Sequence, residues 1–188
     1  VNRVRRHYGL APLPVATIAG YVGEGIRVLM QRAIEGTGID IDGAVRLQQQ
    51  FYGENLVDAT TLYPGVVAGL AKLHAAGHRL AVVSNKPALL TTRILVHFKL
   101  RDSLVHVAGD GPDAKLKPEP DMILDAIRAA KLPAAQTWVV GDHFTDLEAA
   151  RRAKAHSVFM TYGLGRPGKE KPERTYASFD EFVRGFVK

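Results

Sequence analysis

Val139-Val140-Gly141-Asp142-His143-Phe144-Thr145-Asp146 is a short β-branched run closed by a glycine and two carboxylates four residues apart. Thr137 to Val140 predicts a buried strand and Thr145 to Ala153 predicts a helix, so both acids fall at a strand-to-helix turn. That spacing points Asp142 and Asp146 at one place above a sheet, and paired hard oxygen donors suit Mg²⁺. Read alone, the same residues also suit helix capping by Asp142, with Asp146 as a favourable first-turn charge.

The texture on either side repeats this unit. Leu80 to Val83, Leu104 to Ala108 and Ser157 to Tyr162 predict strands, while Val66 to Ala76, Pro87 to Phe98 and Pro120 to Lys131 predict helices. Repeated alternation of this kind predicts an α/β fold, a Rossmann-like parallel sheet covered on both faces. A polar Pro/Gly tail spans Gly163 to Arg174, and Phe179 to Val187 predicts a last helix. Before Tyr63 there is no strand signal. Helical stripes appear there instead, in Val1, Val4 and Tyr8, then over Val22 to Ile34 and Ile41 to Leu56. The expected organisation is therefore a helical part over residues 1–61 and an α/β core over residues 62–188.

In open parallel sheets the chemistry sits outside the carboxyl ends of the strands. The first predicted strand runs into Ser84-Asn85-Lys86, a hydroxyl, an amide and an ammonium at a helix start, which suits a phosphate oxygen and equally suits a helix cap. After the second strand comes Lys115-Leu116-Lys117-Pro118-Glu119-Pro120, where the two prolines push Lys117 into an extended conformation. A fixed ammonium suits a phosphoryl group, although a solvated lysine is the commoner fate. Taken together, hydroxyl, lysine and paired carboxylates supply oxygen binding, charge neutralisation and metal coordination for one phosphate.

Tyr63-Pro64-Gly65-Val66, Val82-Val83-Ser84-Asn85-Lys86, Lys117-Pro118-Glu119-Pro120 and Val139-Val140-Gly141-Asp142 with Asp146 stand in an order and separation that resembles the haloacid dehalogenase-like hydrolase superfamily, and within it the phosphoglycolate phosphatase type. The helical Val1 to Thr61 region, including Tyr21-Val22-Gly23-Glu24-Gly25, looks like that group's α-helical cap. The resemblance implies Mg²⁺-dependent hydrolysis of a small phosphorylated metabolite through an aspartyl-phosphate. It implies that Ser84 and Asn85 bind the phosphoryl group, that Lys117 positions phosphate and nucleophile, and that Asp142 holds Mg²⁺ with Asp146 supporting it. Gly23, Glu24 and Arg27 in the cap, with Lys86, are candidate substrate contacts. Phosphoglycolate is the expected substrate, with sugar phosphates, pyrophosphate and nucleoside monophosphates open.

The departure from the family pattern is as informative. The Asp-x-Asp-x-Thr strand that supplies nucleophile and general acid in that family does not occur in these 188 residues. Asp40-Ile41-Asp42-Gly43 lies in the helical region without a preceding buried strand or a following threonine, so the role does not transfer to it. The expectation is a sheet lacking its first, central strand, with exposed apolar faces and unpaired backbone groups, from a truncated chain of doubtful activity. The alternatives are a non-catalytic phosphate-binding or interaction protein, and an inactive fragment.

Composition narrows the remaining classes. With 188 residues, 46% apolar and 23% charged, the chain is long enough to bury a core and too apolar for disorder. It holds no cysteine, which removes disulfides, thiolate metal sites and cysteine nucleophiles. The net charge of +6 comes from scattered basic residues without aromatic interleaving, so nucleic-acid binding is not expected. No apolar run approaches the ~20 residues of a membrane helix, and a cytoplasmic protein is expected. Gly163-Leu-Gly165-Arg-Pro-Gly168 matches a dinucleotide glycine pattern but opens no helix, and reads as a surface loop. His143 sits in the proposed site loop and reads as a variable side chain.

Overall fold

Strand and helix alternate from Val66 onward because the apolar period changes at each turn signal. The computed structural model describes residues 1–187. In chain order the elements are α1 (Asn2–His7), α2 (Val15–Ala19), α3 (Ile26–Ala33), α4 (Ile41–Glu54), α5 (Val66–Ala75), β1 (Leu80–Pro87), α6 (Ala88–His97), β2 (Leu104–Asp110), α7 (Asp121–Ala130), β3 (Trp138–Gly141), α8 (Phe144–Arg152), β4 (His156–Met160), β5 (Arg174–Tyr176) and α9 (Phe179–Arg184). The chain divides into two units, Val1–Thr60 and Thr61 onward.

The first unit is helical. Asp40 caps α4 by accepting from the Asp42 and Gly43 backbone N–H groups, which fixes where that helix starts. Val4, Met30, Ala33, Ile34 and Ala44 form its buried core, with Val1, Tyr8 and Phe51 packed against them.

The second unit is α/β with parallel pairing throughout, but its strands form two sheets rather than one. β1 pairs with β2, and β4 lies between β3 and β5. The parallel α/β arrangement is as expected from the sequence, and β1 and β3 each hydrogen-bond to one strand among the described residues. β5 is a correction to the sequence reading. It falls at the end of the stretch read as a tail, and forms because Arg174, Thr175 and Tyr176 pair with Val158, Phe159 and Met160. Three residues are too few to show a period.

Helices cover the sheets through their apolar stripes. α7 buries Met122, Ile123, Ala126, Ile127 and Ala130, the i, i+4 spacing of one helical face. Ile123 and Ile127 pack with Ala149 of α8 and with Ala153, just after it, against Val83 and Val139. α9 starts at the Ser178 cap, which accepts from the Glu181 N–H, and contributes Phe182 and Val183 to a core with Leu73, Val158 and Met160. Among the described residues no helix is long and apolar enough to cross a membrane.

Candidate active site

Lys117 is the residue around which the site is built. Its backbone is clamped by Asn85: the Asn85 side-chain amide donates to the Lys117 carbonyl at 2.8 Å and accepts from the Lys117 N–H at 2.8 Å. Its ammonium then donates to the Val83 carbonyl at 2.7 Å and to Asp146 Oδ1 at 2.7 Å. Lys117 and Asp146 are both buried, so the pair lies where Coulomb attraction is weakly screened. An ammonium carries three donors, and these two contacts leave one for a ligand oxygen.

Asp146 has a second task. Its Oδ2 accepts from the His143 N–H at 3.1 Å while the His143 ring accepts from the Thr145 N–H, a reciprocal cap that starts α8. Both Asp146 oxygens are thus engaged by the protein. Asp146 thus holds Lys117 and the helix start, while Asp142, the other acid read from the sequence as a metal ligand, offers a carboxylate oxygen without a hydrogen-bond partner among the described residues. His143, read as a variable loop side chain, is the helix cap.

Asp142 leaves β3 and meets the loop after β4. Its Oδ2 accepts from Leu164 N–H at 2.8 Å and Gly165 N–H at 3.0 Å, and Oδ1 has no hydrogen-bond partner among the described residues. Those residues hold no cluster of three or more acids, histidines or cysteines that could enclose a metal. Mg²⁺ is commonly held by one or two protein carboxylates together with waters and phosphate oxygens, so a single hard oxygen at Asp142 fits it in kind.

Ser84 and Lys86 lie in the last residues of β1, where the register with β2 breaks between Val83 and Pro87. Ser84 Oγ accepts from the Lys86 N–H at 3.2 Å, which leaves the hydroxyl proton to donate elsewhere. Asn85, expected from the sequence to contact phosphate, places both ends of its amide on the Lys117 backbone. In the helical unit, Glu24 pairs with Arg32 at 2.6 Å and Arg27 pairs with Asp42 at 2.6 Å, partnerships that the expected substrate contacts did not include. Gly23 adopts φ 128° in the turn before α3.

Sequence reasoning missed three features. Burial pushes the Asp110 carboxyl above its ordinary range, opposed by the Gly111 N–H. Burial, with Tyr63 and Asp142 adding, pushes the Tyr162 phenol up. Gly163 and Gly165 press on Asp142, a contact that only their glycine spacing hinted at. Between the two sheets lies a cavity of about 470 Å³, lined by Val82 and Val83 of β1, by Val139 and Val140 of β3, and by Lys117 and Asp146.

Residues 1–160 match the family of haloacid dehalogenase-like hydrolases. The chain belongs to that family. This haloacid dehalogenase-like hydrolase is 36% identical over 172 residues to the plasmid phosphoglycolate phosphatase of Cupriavidus necator, covering 89% of the chain and 74% of that relative. It is likewise 36% identical over 172 residues to the phosphoglycolate phosphatase of Nitrosospira multiformis, covering 86% of the chain and 74% of the relative. Among solved structures, one described as a predicted phosphoglycolate phosphatase from Haemophilus somnus superposes with a TM-score of 0.89 at 28% identity, covering 97% of this chain and 87% of that one. The resemblance read from the strand-end motifs is thereby shown, and with it a phosphatase-type hydrolase.

Proposed function

We propose that this hydrolase removes the phosphoryl group from a small phosphomonoester with Mg²⁺ as cofactor, phosphoglycolate being the substrate named for its relatives. The observation that carries the reading is the Lys117 ammonium, buried and fixed by Val83 and Asp146 with one donor left over. A fixed positive charge in a water-poor setting favours a phosphoryl group and the charge that spreads over its oxygens during transfer.

Each side chain takes a part that its own contacts support. Ser84, which accepts from the Lys86 N–H, donates its hydroxyl proton to a phosphoryl oxygen. Lys117 donates to a second oxygen and neutralises charge. Asp146 holds Lys117 in place, and Asn85 fixes the backbone from which it projects. Asp142 Oδ1 holds Mg²⁺, which when bound supplies charge neutralisation and polarises a phosphoryl oxygen. The helical residues 1–61 are assigned substrate selection.

The attacking carboxylate is assigned to a strand outside residues 1–188, seated between β1 and β3. Two sheets that each present an edge, and an apolar cavity lined by both, support this assignment. Asp40 and Asp42 are otherwise engaged, as helix cap and as the partner of Arg27.

The test is phosphate release from phosphoglycolate by the 188-residue chain and by a version preceded by an apolar strand carrying Asp-x-Asp-x-Thr. The chain alone should release little. The extended chain should turn over only with Mg²⁺ and lose activity with Asp142→Ala. Robust release by the chain alone would place the nucleophile within it, and a folded extended chain that binds phosphate without releasing it would overturn the hydrolase assignment of this site.

A further inference from the structure

Gly163-Leu164-Gly165 follows β4, the neighbour of the strand that delivers Asp142. Two consecutive backbone N–H groups converge on one oxygen of that carboxylate, Leu164 at 2.8 Å and Gly165 at 3.0 Å. Two donors on Oδ2 fix the plane of the carboxylate and determine where Oδ1 points.

The glycines are there for space. A Cβ on Gly163 would fall inside the Asp142 side chain, against its Cβ and Oδ2. A Cβ on Gly165 would stand 2.5 Å from the Asp142 carbonyl oxygen and 2.7 Å from His143 Cδ2. Neither glycine has positive φ, so the requirement is close approach and not a left-handed backbone. Leu164 is 62% exposed, and the segment therefore acts on Asp142 through its backbone and not through packing of the leucine.

We infer that Gly163-Leu164-Gly165 is a positioning segment that aims Asp142 Oδ1 at a divalent cation. The inference rests on the assignment of Asp142 as the Mg²⁺ ligand and adds the element that sets its geometry. Groups that orient a metal ligand from behind typically contribute ten- to hundredfold to metal affinity. An alanine at Gly163 or Gly165 forces the loop away from the carboxylate, lengthens both N–H contacts and lets the side chain rotate.

The experiment uses Mn²⁺ as a paramagnetic probe, titrated into the full 188-residue chain and followed by electron paramagnetic resonance. Asp142→Asn should abolish specific binding. Gly163→Ala and Gly165→Ala should each weaken it about ten- to hundredfold, with far-UV circular dichroism reporting the fold, and Val96→Ala, at a position outside the segment and 58% exposed, should bind as the wild type. In the wild type, needing no variant, Mg²⁺ should shift the amide resonances of Leu164 and Gly165, and that shift should vanish in Asp142→Asn. Binding in the wild type that neither glycine variant weakens, with both amides unmoved, overturns the inference while leaving the metal site standing. Mn²⁺ binding that survives Asp142→Asn, or none in the wild type, removes the metal assignment and the inference together.

Discussion

Asn85 and Lys117, 32 residues apart in the chain, exchange two hydrogen bonds of 2.8 Å through one side-chain amide and one backbone unit. The amide replaces the partner that an extended backbone would find in a neighbouring strand, and so holds the lysine where its ammonium reaches Val83 and Asp146. Asn85→Ala should cost about 1–3 kcal/mol, because it leaves a buried N–H and C=O of Lys117 without that partner. Urea unfolding measures it. Asn85→Asp should fail to restore the loss, since its second oxygen meets the Lys117 carbonyl with no proton between them.

The buried Lys117–Asp146 pair predicts a non-additive result. Lys117→Met and Asp146→Leu should each destabilise by about 3 kcal/mol, because each strands a buried charge, whereas the double variant should cost less than the sum. A double-mutant cycle in urea decides this. Strictly additive costs would mean that the two groups do not depend on each other.

Gly109 lies near the end of β2 against Lys86 of β1 and Ala88, the first residue of α6. A Cβ there would stand 2.5 Å from the Lys86 carbonyl oxygen and 2.7 Å from Ala88 Cα, and backbone cannot rotate out of the way. Gly109→Ala should destabilise by about 1–3 kcal/mol. Leu89→Ala, at a position 71% exposed, should stay within about 0.5 kcal/mol and serves as the control.

Burial raises the Asp110 carboxyl above its unfolded value. The folded state therefore binds this proton more tightly than the unfolded chain. The contribution from Asp110 is fully present below the unfolded value, about pH 4, and is lost as pH rises through the folded value. Asp110→Asn removes the cost of burying the charge, so the variant should gain stability over the wild type at pH 7 and the difference should shrink toward pH 3. Chemical denaturation at the two pH values measures it, and an equal difference at both would rule out the carboxyl as its source.

Much of this molecule is legible in its amino-acid sequence. The change from helical stripes to alternating strands near Tyr63, the strand that runs into Gly141-Asp142 and the helix following Asp142 are all set by local periodicity and turn chemistry, which act within a few residues and are written along the chain. What lay beyond reach were relationships between distant positions. Spacing placed Asp146 beside Asp142; only the fold brought Lys117, 29 residues away, onto its oxygen. The ion pairs of Glu24 with Arg32 and of Arg27 with Asp42 likewise come from the fold of the helical unit. β5 exists through pairing with β4 and leaves no period of its own, and the division into two sheets is a fact of hydrogen bonding between strands that no stretch of sequence states. The glycines at 163 and 165 were visible as a pattern, but their purpose was decided by the carboxylate that the tertiary structure sets against them, because close approach depends on which two backbones meet.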